Sequence, residues 1–178
     1  LKSLKQYSVP FTGLKLGKHQ LSFDVDSRFF DEFDYSLVKN GVLKIDLVLD
    51  KQETMMVLDF HITGTINLDC DRCLAEYPQK IDAKDRLIAK FTQDEDLEES
   101  TEEVIVINKT DNEIDLSGFI YEMINLAAPY INICEAPGET SNCDTEMIAK
   151  LKELSVAEEE ENKNNDPRWE ALKNIKNN

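Results

Sequence analysis

Four cysteines, Cys70, Cys73, Cys134 and Cys143, are the residues of this 178-residue chain whose type and spacing best suit chemistry. Cys70 and Cys73 form a C-x-x-C pair inside LDCDRCL. Such a turn presents two thiolates to one tetrahedral zinc ion, with Zn–S bonds of ~2.3 Å. A closed structural site needs four ligands, and Cys134 and Cys143 can complete it across the loop CEAPGETSNC. That loop is wider than the usual zinc knuckle. His61 and His19 are candidate substitutes, although His61 falls in an expected strand. Two other chemistries compete with zinc. A redox dithiol needs a thiolate lowered by a helix N-terminus after a strand, but LAEYPQK, with Pro78, opposes a long helix after Cys73. Free, partly buried thiols without a ligand are the third alternative.

The sequence has no Gly-rich phosphate loop, no G-x-S-x-G and no H-E-x-x-H. Acidic residues abound, but nothing singles out a catalytic pair, so a non-enzymatic protein is expected. Basic residues follow the cysteines: Arg72, Lys80, Lys84, Arg86 and Lys90, with Tyr77 among them. Arg72 at the tip of a knuckle can meet a phosphate, and Lys80, Lys84 and Arg86 are candidate RNA contacts. The plainer reading of these residues is a solvated strand face in a charge-balanced segment.

The net charge of −16 is unevenly spread. Residues 1–90 carry 13 Lys/Arg and 14 Asp/Glu; residues 91–178 carry 7 and 22. The runs at 94–99 and 158–161 supply much of the excess, as solvated segments or as an acidic surface for a basic partner. Phosphate backbone is repelled by such a half, so any RNA contact belongs to the first. No run of eighteen apolar residues suggests a membrane span, and LKSLKQYSVPF lacks the pattern of a secretory signal, so a cytoplasmic protein with reduced thiols is expected.

Periodicity indicates the elements that must position these groups. Residues 4–9 suggest a short strand closed by Pro10. Residues 19–26 alternate Leu21, Phe23 and Val25 with polar neighbours, a half-buried strand. Ser27 can cap a short helical turn carrying Phe29, Phe30 and Phe33. Asn40-Gly41 reads as a turn. Leu43, Ile45, Leu47 and Leu49 then alternate, and residues 54–69 follow as a long strand that forms an antiparallel hairpin with them, with Gly64 marking a bulge or close approach. The cysteine pair ends that strand. Further strands are expected at 80–91 and 104–108, with an acidic loop between. Leu116, Phe119, Ile120, Met123, Ile124 and Ala127 have helical spacing, with Asp115 or Ser117 as cap and Pro129 as stop. Met147, Ile148, Leu151 and Leu154 predict a second helix.

Strands first and helices later argue α+β, with a mainly antiparallel sheet in the first ~110 residues and helices in the C-terminal part. A single domain over 1–154 is expected, followed over 155–178 by an acidic tether and a short amphipathic helix. In that helix Asp166 can cap, Pro167 takes the first position, and Trp169, Leu172 and Ile175 share a partner-docking face. An amphipathic turn of this length is not stable in water alone.

Three segments in order, GTINLDCDRCLAEY, EIDLSGFIYEMINLAAPYINIC and DPRWEALKNI, resemble the YceD-like family of bacterial proteins. Cys70, Arg72 and Cys73 match its cysteine knuckle; Asp115, Leu116 and Pro129 match its helix segment. Many relatives carry a second close pair resembling G-L-C-x-x-C-G, where this chain has the widely spaced Cys134 and Cys143. The resemblance implies a role in the accumulation of large-subunit ribosomal RNA, through that RNA and a basic ribosomal or assembly protein. It also implies a family with no assigned catalytic activity, whose gene often neighbours one for a large-subunit ribosomal protein. The competing expectation is an acidic protein-interaction module, with structural zinc or free thiols and no RNA contact. A zinc-dependent or thiol-based enzyme is a third.

Overall fold

The computed structural model describes residues 4–34, 36–92, 104–108, 110–134 and 143–154. In chain order these form a 3-10 turn (Leu4–Tyr7), strands β1 (Ser8–Pro10) and β2 (Gly17–Val25), and helix α1 (Ser27–Phe30). Strands β3 (Asn40–Lys51), β4 (Met55–Asp69), β5 (Glu76–Thr92), β6 (Val104–Asn108) and β7 (Glu113–Asp115) follow, then helices α2 (Ser117–Ala127) and α3 (Thr145–Leu154). The class is α+β. A five-stranded sheet runs in the order β2-β3-β4-β5-β6, antiparallel except for the parallel pair β5–β6. β1 and β7 form a separate antiparallel pair.

Strict alternation gives the sheet one apolar face. Leu43, Ile45, Leu47 and Leu49 of β3 and Met56, Leu58, Phe60 and Ile62 of β4 are all buried. They join one core with Phe29 and Phe30 of α1, Ile120, Met123 and Ile124 of α2, and Tyr7 and Val9 of the N-terminal segment. The β1–β7 pair clips that segment to the start of α2, helped by Leu116 N–H donating to the Tyr7 carbonyl (3.2 Å). The Tyr7 hydroxyl donates to the Asp24 carbonyl (2.9 Å). Phe33 stacks on Tyr121 with centroids 4.0 Å apart, bringing the 31–38 segment against α2.

Several expectations shift. Residues 4–7 are a 3-10 turn, and the first strand falls at 8–10 and includes Pro10, which an edge pairing tolerates. Asp26, not Ser27, caps α1, its Oδ1 accepting from Arg28 N–H (3.0 Å), and the helix ends at Phe30. Asn40-Gly41 is not a turn: it opens β3, where Gly41 opposes Ile66 and a Cβ would lie 2.9 Å from the Thr65 carbonyl oxygen. Gly64 is a close approach rather than a bulge. The β3–β4 register passes through it unbroken, its φ is +147°, and a Cβ would overlap the Val42 carbonyl oxygen and sit 2.7 Å from Leu43 Cα.

The helix expected from Leu116 to Ala127 forms over 117–127, but its N-cap is Leu116, which makes no side-chain cap bond, rather than Asp115 or Ser117. Asp115 Oδ1 accepts from Ser117 N–H (2.9 Å), and Ala128, extended before Pro129, ends it. α3 starts at the Asp144 carboxylate, which accepts from the Glu146 and Met147 amides (2.9 and 3.1 Å). Its apolar side meets the core only through Met147 and Ile148; Leu151 and Leu154 are exposed. No helix among the described residues is long and apolar enough to cross a membrane.

Candidate metal centre

The C-x-x-C pair lies at the tip of the β4–β5 hairpin. Asp69 pairs with Glu76, and residues 70–75 close the loop. Cys70 N–H donates to the Ala75 carbonyl (2.9 Å), and Leu74 N–H donates to the Cys70 carbonyl (2.8 Å). Leu74 holds a left-handed φ of +60°, which turns the chain back towards β5. This conformation folds the loop over the Cys70 sulfur, which receives the backbone N–H groups of Arg72 and Cys73.

The second half of the site comes from the strap after α2. Asp71 and Asn132 clasp it to the hairpin tip: Asp71 N–H donates to the Asn132 carbonyl (2.8 Å), and Asn132 N–H donates to Asp71 Oδ2 (2.7 Å). Two residues on, Cys134 enters the cluster. The sulfurs of Cys70, Cys73 and Cys134 lie within 4.8 Å of one another, and all three side chains are buried. Cys73 and Cys134 are 3.7 Å apart, far beyond a disulfide at ~2.05 Å. A tetrahedron with Zn–S bonds of ~2.3 Å has an S–S edge of ~3.8 Å. The observed separation fits that edge, and the donor set, all sulfur, suits a soft or borderline cation. Cys143 is half-buried and hydrogen-bonds the Cys134 thiol from the outer side. The structure thus brings together all four cysteines of the chain, with three in ligand geometry and the fourth adjoining.

The thiols differ in acidity. Burial raises Cys70, but the N–H groups of Cys134, Cys73 and Arg72, with the Cys134 thiol, outweigh it and lower the group to about 6. Cys134 moves the other way: burial first, then its hydrogen bonds with Cys70, Cys143 and Cys73, and the charge of Cys70, push it up. One thiolate is therefore preformed, held by three amides, and it faces a thiol that keeps its proton. Tyr77, at the root of β5, is raised by burial first, then by the negative charge of Cys70 and Asp71. Its ring is buried and presents no face to a ligand.

Neither histidine joins the cluster. His61 lies mid-strand in β4, nine residues or ~30 Å along the chain from Cys70, and pairs with Asp82 (2.9 Å). His19, on the edge strand β2, is hydrogen-bonded to the Lys15 carbonyl (2.8 Å).

The basic residues are strung out rather than gathered. Arg72 is exposed on the knuckle loop, whereas Lys80, Lys84 and Arg86 share the outer face of β5 with Lys90. Arg86 is ten residues, or ~33 Å, up the strand from Glu76. Acids interleave with this row. Arg86 Nε meets Asp59 Oδ1 at 2.6 Å, His61 takes Asp82, and Lys44 meets Asp46 at 3.0 Å. Trp169, Leu172 and Ile175, with both acidic runs, lie outside the described residues.

A family model described as large ribosomal RNA subunit accumulation protein YceD matches residues 58–176, two thirds of the chain. The chain belongs to the YceD family. The matched span begins within β4 and includes all four cysteines, the Asp71–Asn132 clasp and the DPRWEALKNI segment. The uncharacterized protein YlbN of Bacillus subtilis (strain 168) is 28% identical over 127 residues, which cover 71% of this chain and 69% of that one. No solved structure matches. Membership in the YceD family points to a ribosome-related role. Sequence reasoning did not find the Asp71–Asn132 clasp or the Cys134 amide on Cys70, because residues 61 and 64 positions apart meet through a fold that no local period records.

Proposed function

We propose that this protein is a non-enzymatic ribosome-biogenesis factor that supports accumulation of large-subunit ribosomal RNA. In this reading the four-cysteine cluster holds zinc as a structural clasp. Zinc there supplies cross-linking, not a reaction. Cys70 and Cys73 fix the hairpin tip and Cys134 fixes the strap after α2, while Cys143 completes the shell. The observation that carries the reading is the enclosed cysteine cluster within a span matched by a family named for ribosomal RNA accumulation. Buried sulfurs held by amides suit a scaffold. Arg72 on the knuckle, with Lys80, Lys84 and Arg86 on β5, supplies the phosphate contacts, and the acidic second half meets a basic ribosomal or assembly protein. RNA recovered with the tagged protein from cells, and sequenced, tests this. Enrichment of large-subunit ribosomal RNA over that bound by an unrelated acidic protein is expected; equal recovery overturns it.

The charge pairing on the outer sheet face favours one second reading, an acidic protein-interaction module with no RNA contact. Asp59 and Asp46 neutralise Arg86 and Lys44, cations that would otherwise face phosphates. Partners retained after RNase treatment support that reading, and their loss supports the first.

A further inference from the structure

A groove of about 680 Å³ opens between α2, Leu37 and Asp85 of β5. Its walls are apolar, from Leu37, Phe119, Met123 and Leu126, and its polar rim carries the carboxylates of Asp85 and Glu122. Leu37 and Leu126 are each 82% exposed, an unusual setting for two leucines facing one depression. The groove is also rich in acceptors. The side-chain oxygen of Asn125, on its lining, is buried with no donor among the described residues, while its amide donates to the Tyr121 carbonyl (2.8 Å). An occupant with apolar side chains and surplus donors or positive charge is what these groups fit.

The chain carries one such segment. Residues 167–178, PRWEALKNIKNN, hold three basic side chains, Arg168, Lys173 and Lys176, against one acid, Glu170. The preceding SVAEEEENKNND is strongly acidic, so the sign of the charge reverses at this segment. Trp169, Leu172 and Ile175 recur at helical spacing between the basic positions. Reach is not limiting. Twelve residues separate Leu154 from Pro167 and span up to ~40 Å. A body of roughly 150 residues has a radius of gyration of only about 15 Å.

We propose that the segment 167–175 of the same chain occupies this groove, with Trp169, Leu172 and Ile175 against Leu37, Phe119, Met123 and Leu126, and its basic side chains facing Asp85 and Glu122. Tethering makes this docking effective at weak intrinsic affinity, because a short linker supplies an effective concentration on the order of millimolar. The inference stands apart from RNA binding and from the metal site, and its failure leaves both untouched.

Trp169 is the sole tryptophan of the chain, so its fluorescence reports the segment directly. In the full-length protein its emission should lie at shorter wavelength than in the free peptide 166–178, with weaker acrylamide quenching. Leu126→Asp should move both to the values of the free peptide, and Glu122→Lys should move them part of the way. Leu126 is largely exposed, so its thermal unfolding midpoint should stay near wild type, which separates undocking from misfolding. Emission equal to that of the free peptide in the wild-type chain overturns the proposal. So does a shift indifferent to both substitutions, or one that vanishes on dilution and so comes from a second copy.

Discussion

At the scale of single residues, the cysteine cluster divides labour between two thiols of opposite acidity. Cys70 is a thiolate near neutral pH because three amides point at its sulfur, while Cys134 holds its proton until a cation displaces it. Purified protein should carry about one zinc per chain by elemental analysis, and Cys70→Ser should lose nearly all of it. A chelator should lower the melting temperature of the wild type but not that of Cys70→Ser. The folded pKa of Cys70, about 6, lies below the 9.0 of an unfolded thiol. Its thiolate therefore stabilises the metal-free fold fully above that unfolded value, and the contribution is lost as pH falls through about 6. In metal-free protein the difference in denaturation midpoint between wild type and Cys70→Ser should shrink on acidification across that window. Zinc retention against a competing chelator should fall as the pH is lowered, because protons compete with the metal for the ligand sulfurs. Among the basic residues, Lys84 faces the outer side of β5. Under the proposed RNA contact, Lys84→Ala should weaken RNA binding evenly across sequences and reduce the salt slope by about one.

Elements explain why the cysteines meet. β4 and β5 are long and paired from Met55–Lys90 to Asp69–Glu76, so their hairpin projects the C-x-x-C turn at its tip. α2 ends at Ala127, before Pro129, and the strap that follows delivers residues 131–134 to that tip. Asp71 joins the two pieces by a pair of hydrogen bonds, one to its carboxylate and one from its own amide. Asp71→Ala should cost ~1–3 kcal/mol in metal-free protein, measured by urea unfolding, since it leaves the Asn132 amide without its acceptor. The cost should shrink when zinc is bound and replaces the tie. Within the sheet, Gly64 lets β3 approach β4 where a side chain would strike the backbone of Val42 and Leu43. Gly64→Ala should destabilise by about 2 kcal/mol or more, because left-handed strain adds to the overlap. The loss should appear as a lower urea midpoint with an unchanged slope.

For the whole molecule, charge and topology pull function to different places. The outer sheet face carries cations and acids in pairs, so it makes no broad positive field. The acidic excess of −15 over residues 91–178 acts at longer range and favours basic partners. Under the proposed role, binding of a basic ribosomal protein should weaken markedly between low salt and 0.5 M, as the screening length shortens from ~10 Å at 0.1 M towards a few Å. A partner held mainly in the apolar groove would resist that change. Titration with salt, read by fluorescence anisotropy, distinguishes the two surfaces.

Much of the fold was legible because it is local. Period-two alternation in β3 and β4, the helical spacing of α2 and the stop at Pro129 all express neighbours within a few residues. The α+β class follows from their order. Less was legible where long-range contact overrides local preference: Asn40-Gly41 reads as a turn but is drawn into a strand because β4 offers a ladder. The C-x-x-C pair announced a metal or thiol site. Only the tertiary structure decided that Cys134 closes it with Cys73 at a tetrahedral-edge distance, and that His61 stands far away. The physical reason is that bringing together groups 61 residues apart costs chain entropy that no short segment can recover, and only the assembled core offsets it.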